Sequence, residues 1–112
     1  MKDNAELVSL IETLMKDKKP IWKRVAKELA KPRKRRVEAN LSRIEENALK
    51  DSTILVPGKV LGAGTLSKSI TIAAFSFSDS AKKLISKAGA KAVSIESLHK
   101  SNPEGKGVII FK

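Results

Sequence analysis

From Lys16 to Arg36, eleven lysines and arginines stand against two acids, Asp17 and Glu28, and few patterns limit a fold so tightly. Burying an unpaired ammonium or guanidinium costs several kcal/mol, so such a segment must lie at the surface. Its apolar residues must then share one side of an amphipathic element. Trp22, Val25, Ala26 and Leu29 do so at helical spacing, which predicts a short helix over about 21–30, with Pro20 near its first turn and Pro32 beyond its end. Ahead of it, Leu7, Leu10, Ile11 and Leu14 mark a helix over 4–16, with Asn4 as a cap and Lys16, Lys18 and Lys19 closing it. Residues 1–30 therefore read as a helical hairpin. The densest basic run, Lys31-Pro32-Arg33-Lys34-Arg35-Arg36, opens a basic arm with a first strand over 31–44.

Within that arm, Val37, Ala39 and Leu41 alternate with Glu38, Asn40 and Ser42, the period of a half-buried strand. Ile44 breaks the alternation and leaves a helical reading of 37–44 open. From Ser52 the composition turns β-rich. Thr53-Ile54-Leu55-Val56 reads as a strand stopped by a turn at Pro57-Gly58, with Lys59-Val60-Leu61 beyond it and a second turn at Gly62-Ala63-Gly64. Ile70–Phe77 reads as a buried strand. Ser78, Asp79 and Ser80 offer caps to a helix carrying Ala81, Leu84, Ile85 and Ala88, with Gly89 as its terminator. Lys91-Ala92-Val93 is a short strand, Ser94 caps a turn or two through Leu98 and His99, residues 102–107 form a loop, and Val108–Phe111 is a last strand. The expected fold is α/β: a helical hairpin and basic arm, then an irregular β-β-α succession with a small mixed sheet. The expected organisation is one domain over 1–112, with 52–112 as its α/β body.

Function classes fall away quickly. There are no cysteines and one histidine, so thiolate chemistry and His-rich metal sites are not expected. No run of about 18 apolar residues occurs, and Asp3, Glu6, Glu12 and Asp17 interrupt the first twenty residues, so neither a membrane span nor a signal peptide is expected and the cytoplasm is the expected location. Gly58–Gly64 lacks the spacing of the Walker and dinucleotide patterns. His99, Ser76, Ser78, Ser80 and Asp79 lack the context of a catalytic group, and Trp22 lies on an apolar stripe where core packing is its expected role. Neither an enzyme nor a cofactor, metal, membrane or small-molecule partner is expected.

What remains is charge. The whole chain carries +11, and an excess this concentrated points to a polyanion, nucleic acid before membrane. Lys18, Lys19, Lys23, Arg24, Arg33, Lys34, Arg35, Arg36 and Arg43 are the expected phosphate ligands. Asn40, and Lys59 with its flanking glycines, are expected to approach sugar and backbone. With nothing nearby to neutralise them, residues 31–37 are expected to be mobile in the free chain. With three Phe, one Trp and no Tyr, recognition by backbone and shape is favoured over base stacking. A chromatin-like protein on duplex DNA is the alternative, and a nucleotide binder or RNA-processing enzyme using Gly58–Gly64 a more distant one.

Several segments together carry a resemblance. They are Pro20-Ile21-Trp22 leading to Leu29-Ala30-Lys31-Pro32-Arg33, Asn40-Leu41-Ser42-Arg43-Ile44, Val56-Pro57-Gly58-Lys59-Val60-Leu61-Gly62-Ala63-Gly64, Ala74-Phe75-Ser76-Phe77-Ser78 and Asn102-Pro103-Glu104-Gly105. In this order and spacing, over about residues 4–111, the chain resembles the archaeal branch of a large-subunit ribosomal protein family, the one numbered eighteen in the "e" series shared by archaea and eukaryotes. The resemblance implies a fold shared with the C-terminal part of ribosomal protein fifteen. It also implies a structural role on 23S-type rRNA beside neighbouring large-subunit proteins, without catalysis or cofactor. Glu45-Glu46 departs from the pattern, being more acidic than expected after Ile44.

Overall fold

The structure, a computed structural model, describes residues 4–48 and 52–111. In chain order its elements are α1 (Asn4–Met15), α2 (Pro20–Leu29), a single 3-10 turn (Arg33–Arg35), β1 (Val37–Asn40), α3 (Leu41–Asn47), β2 (Thr53–Leu61), β3 (Thr71–Phe77), α4 (Asp79–Lys87), β4 (Lys91–Ser94), α5 (Ile95–Ser101) and β5 (Val108–Ile110). The α/β class and the helical hairpin are as expected. The sheet is more regular than expected, for every ladder described is parallel.

The strand order is β1-β2-β3-β4, with β5 also on β2. β5 pairs with Thr53–Leu55 and β1 with Gly58–Leu61, so two short strands follow one another along a single edge of β2. From β1 to β4 the chain steps one way across the sheet, and α3 and α4 pack in one cluster with Ala39, Ile54, Val56, Val60, Ile72 and Ala74. From β4 to β5 it steps back. Crossovers between parallel strands are right-handed, so the reversal must place the connecting helix on the other face. There α5 packs with α1 and α2 over Leu55 and Ala73. The result is three layers, with helices on both faces of a parallel sheet, and it explains why strands such as Ile54-Leu55-Val56 are apolar without alternation.

Two local expectations need correcting. Pro57-Gly58 is not a turn. β2 runs straight through it, and its register against β3 slips by one residue between Val56 and Lys59. Proline has no N–H to give to the ladder, and a bulge is where a strand accommodates one. Glycine is needed at position 58 because a Cβ there would stand 2.0 Å from the Val37 carbonyl oxygen. Second, 37–44 is both strand and helix: β1 ends at Asn40 and α3 begins at Leu41, burying Leu41 and Ile44 one turn apart. Within the basic run, residues 33–35 form a 3-10 turn. The turn is closed by Arg35 N–H to the Pro32 carbonyl (2.8 Å), and the Arg36 Nε donates to the Lys31 carbonyl at 3.0 Å.

The acid that departed from the family pattern has a structural task. The Glu45 carboxylate accepts from the backbone N–H of Ser67, from the Ser67 hydroxyl (2.7 Å) and from the backbone N–H of Lys68 (2.9 Å). In return the Lys68 ammonium donates to the carbonyls of Glu45 and Ala48, both at 2.8 Å, satisfying the open end of α3. These bonds tie α3 to the loop between β2 and β3. They also hold the Glu45 carboxyl below the ordinary carboxylate range, the Ser67 backbone N–H contributing most. A depressed carboxyl contributes stability that is full above its unfolded pKa and lost as pH falls through the folded one. Glu45→Gln is therefore expected to be less stable than the parent at neutral pH in urea melts. The gap between the two should close below about pH 4. A gap independent of pH would contradict this.

Candidate nucleic-acid interface

On the face covered by α1, α2 and α5, the helices pack over Leu55 and Ala73. Beside the amino end of β1, Gly58 and Lys59 of β2 and the carboxyl ends of β3 and β4, a groove of about 1390 Å³ remains open and reaches α4. Arg33, Lys34 and Arg36 line it from the 3-10 turn, Lys59 from β2 and Lys82 from α4, around a floor that includes Phe75, Ser76 and Phe77. Its size exceeds the roughly 300–1,000 Å³ of a small-molecule pocket and suits an extended ligand. The groove also contains acids. Glu38 is the neighbour of Lys59 across the β1–β2 ladder, and Glu6 and Asp79 stand at its rim, so part of the positive charge is offset locally.

The expected phosphate ligands thus divide. Arg33, Lys34, Arg36 and Lys59 meet in the groove, whereas Arg35 is exposed on the same turn outside it. Lys23 and Arg24 are exposed on α2, whose other side buries Trp22, Val25, Ala26 and Leu29. Lys18 and Lys19 lie in the link between α1 and α2. There the Lys19 ammonium is held by Glu104 at 2.7 Å, which raises it above its ordinary value and keeps it charged. Arg43 belongs to α3, with its guanidinium 5.8 Å from the centre of the Phe111 ring. Asn40 precedes α3 without a capping hydrogen bond from its side chain.

Lys82 escaped the sequence reading, because α4 looked like an ordinary amphipathic helix. The signal available was its position, one turn after a Ser78 cap at the end of a strand. The glycines prove to serve the chain itself. A Cβ at Gly62 would meet Ser80 and Ala81 at the start of α4, within 2.4–2.5 Å, and Gly64 lies against Ser42 with φ +87°. Close approach at Gly62 and Gly64 is to the chain itself, while Gly58 lines the groove beside Lys59.

Trp22 and His99 organise the wall behind α2. The Trp22 ring is fully buried, its Nε1–H donates to the Pro103 carbonyl at 2.8 Å, and it meets the His99 ring edge-on at 4.7 Å. His99 Nε2 lies 2.7 Å from an Asp17 carboxylate oxygen, whose other oxygen accepts from the Lys19 backbone at 2.8 Å. The His99 contact, more than any other, lowers the Asp17 pKa. This is a clamp between the α1–α2 link and α5. It leaves His99 half-buried, with a partner 82 positions away in sequence.

Among the described residues no group of three His, Cys, Asp or Glu could hold a metal, and no helix is long and apolar enough to cross a membrane. Residues 6–93 match the family that groups ribosomal proteins 50S-L15 and 50S-L18e with the 60S protein numbered 27A. The chain is 46% identical to the large ribosomal subunit protein eL18 of Archaeoglobus fulgidus, over 96% of this chain and 95% of that one. It is 46% identical to eL18 of Methanococcus maripaludis (99% and 96% covered) and 44% identical to that of Haloarcula marismortui (99% and 98%). These relatives are named as ribosomal proteins and not as enzymes, in line with the sequence reading.

Proposed function

The chain belongs to the family of ribosomal proteins 50S-L15, 50S-L18e and their 60S relative numbered 27A, and we propose on that basis that it is a structural constituent of the cytoplasmic large ribosomal subunit that binds and stabilises 23S-type rRNA. The observation that carries the reading is the groove where Arg33, Lys34, Arg36, Lys59 and Lys82 converge from three elements. Cations held on a folded frame neutralise phosphates without first paying to be ordered, and releasing condensed counterions drives the association. Lys23 and Arg24 add exposed positive charge on α2. Recognition is then by charge and shape, with the folded RNA supplying specificity. Neighbouring large-subunit proteins complete the surroundings.

Binding to fragments of large-subunit rRNA tests this. If about 6–10 phosphates are neutralised, affinity should fall by about 10³–10⁵ between 50 and 200 mM salt, on the duplex-DNA scale. Unlabelled duplex DNA should compete less well than the rRNA fragment. A flat salt response, or equal competition by DNA, would overturn the proposal.

A further inference from the structure

We propose that α4 carries a second RNA-binding face, and that the chain joins two separate RNA segments, one on each side of its sheet. This rests on the rRNA-binding reading above and extends it to a surface outside the groove.

The two helices concerned are built alike. α2 buries Trp22, Val25, Ala26 and Leu29 and turns Lys23, Arg24 and Lys27 outward. α4 buries Ala81 and Ile85, half-buries Leu84 and Ala88, and turns Lys83, Ser86 and Lys87 outward beside the groove-lining Lys82, with exposed Lys91 following at the start of β4. Lys83 and Lys87 stand four apart, where like charges on a helix repel. The only acid of α4 is Asp79, in its first turn, and among the described residues no ion pair of Lys83, Lys87 or Lys91 is found. The outward face of α4 is thus cationic and open to a counter-charge from outside.

Lys83 and Lys87 lie outside the lining of the groove. α2 packs on one side of the sheet and α4 on the other. Two successive layer spacings of about 10 Å separate them, against a screening length of about 10 Å at 0.1 M salt. A polyanion on one side therefore leaves the other side's charge unneutralised. The chemistry of α4 also selects its ligand. Protein interfaces are depleted in lysine and centred on apolar or aromatic residues, whereas the exposed positions of α4 hold three lysines, two serines and one aspartate. Point charges along a helix suit the phosphates of an RNA backbone.

Two RNA duplexes of unrelated sequence, each about 20 base pairs long, one labelled with a donor and one with an acceptor fluorophore, provide the test with the full chain at 0.1 M salt. Energy transfer should rise to a maximum near one chain per two duplexes and fall again in excess protein. Lys83→Glu/Lys87→Glu should reduce the transfer at least about tenfold and leave binding of a single duplex within about threefold. Lys100→Glu/Lys106→Glu, which changes net charge equally elsewhere, should leave the transfer intact. Transfer that survives in the α4 variant, or is lost equally in the control, would overturn the proposal. So would a wild-type chain that binds one duplex and never two, a result that leaves the rRNA reading standing. A chain that binds no duplex at all would sink both.

Discussion

Replacing Arg33, Lys34 and Lys59 together by alanine should weaken binding to large-subunit rRNA fragments by about 10²–10³-fold at 0.1 M salt, with the fold unchanged. Each neutralised phosphate contributes about 0.7–0.9 to the slope of log affinity against log salt, and that contribution fades toward 1 M. Leaving three phosphates without their cations therefore removes two to three decades at 0.1 M, and the slope itself should fall by about 2–3. The residues are chosen because they line the groove, and no side-chain hydrogen bond or ion pair among the described residues is found for any of the three. Arg36 is left in place because its Nε closes the turn on the Lys31 carbonyl. The comparison to make is with Lys100→Ala/Lys106→Ala, whose loss should be far smaller. An equal loss in both variants would mean that net charge, and not the groove, governs binding.

The largest effect on stability belongs to Trp22. Trp22→Ala is expected to cost about 3–5 kcal/mol, a large share of the roughly 5–15 kcal/mol that holds a typical domain. The indole is fully buried and bonded to Pro103, and its edge-on contact with His99 adds about 0.5–1.5 kcal/mol beyond burial. The melting temperature followed by circular dichroism should fall by about 15–25 °C. Trp22→Phe should recover most of the loss. It keeps an aromatic ring in the core, and the Pro103 carbonyl it abandons belongs to an exposed residue that water can serve. If the phenylalanine variant melted as low as the alanine variant, the Nε1–H bond rather than packing would be the main contribution. RNA affinity measured well below the melting point should change little, which separates this residue from the groove.

Much of the molecule was legible because period and charge are local properties. The buried stripe Trp22-Val25-Ala26-Leu29 appears in the structure as the sequence spaced it, and so do the Ser78 and Ser94 caps, each accepting from the third N–H beyond. What was missed depends on tertiary neighbours. Pro57-Gly58 carries the composition of a turn, and only the nearness of Val37 shows why a strand needs it there. Glu45 looked like an intrusion on an RNA surface, since nothing in its own neighbourhood announces Ser67 and Lys68. The α4 lysines were hidden by arithmetic. Outside residues 16–36 the chain has twelve bases and ten acids, so the remainder looks neutral until folding sorts its charges onto different faces.

The shared edge of β2 sets an order on how the chain reaches this structure. Thr53–Leu55 receives its outer neighbour from Val108–Ile110, about 55 positions later, while Gly58–Leu61 receives its own from Val37–Asn40 just upstream. One half of the edge can close early in synthesis, and the other waits for the last strand to emerge. Such distant pairings carry a loop-closure cost that slows folding. Until β5 arrives, the backbone donors and acceptors of Thr53–Leu55 are a bare template for another strand. The nascent chain is therefore most vulnerable to mispairing at that half-edge, and β5 acts as the latch that ends the exposure.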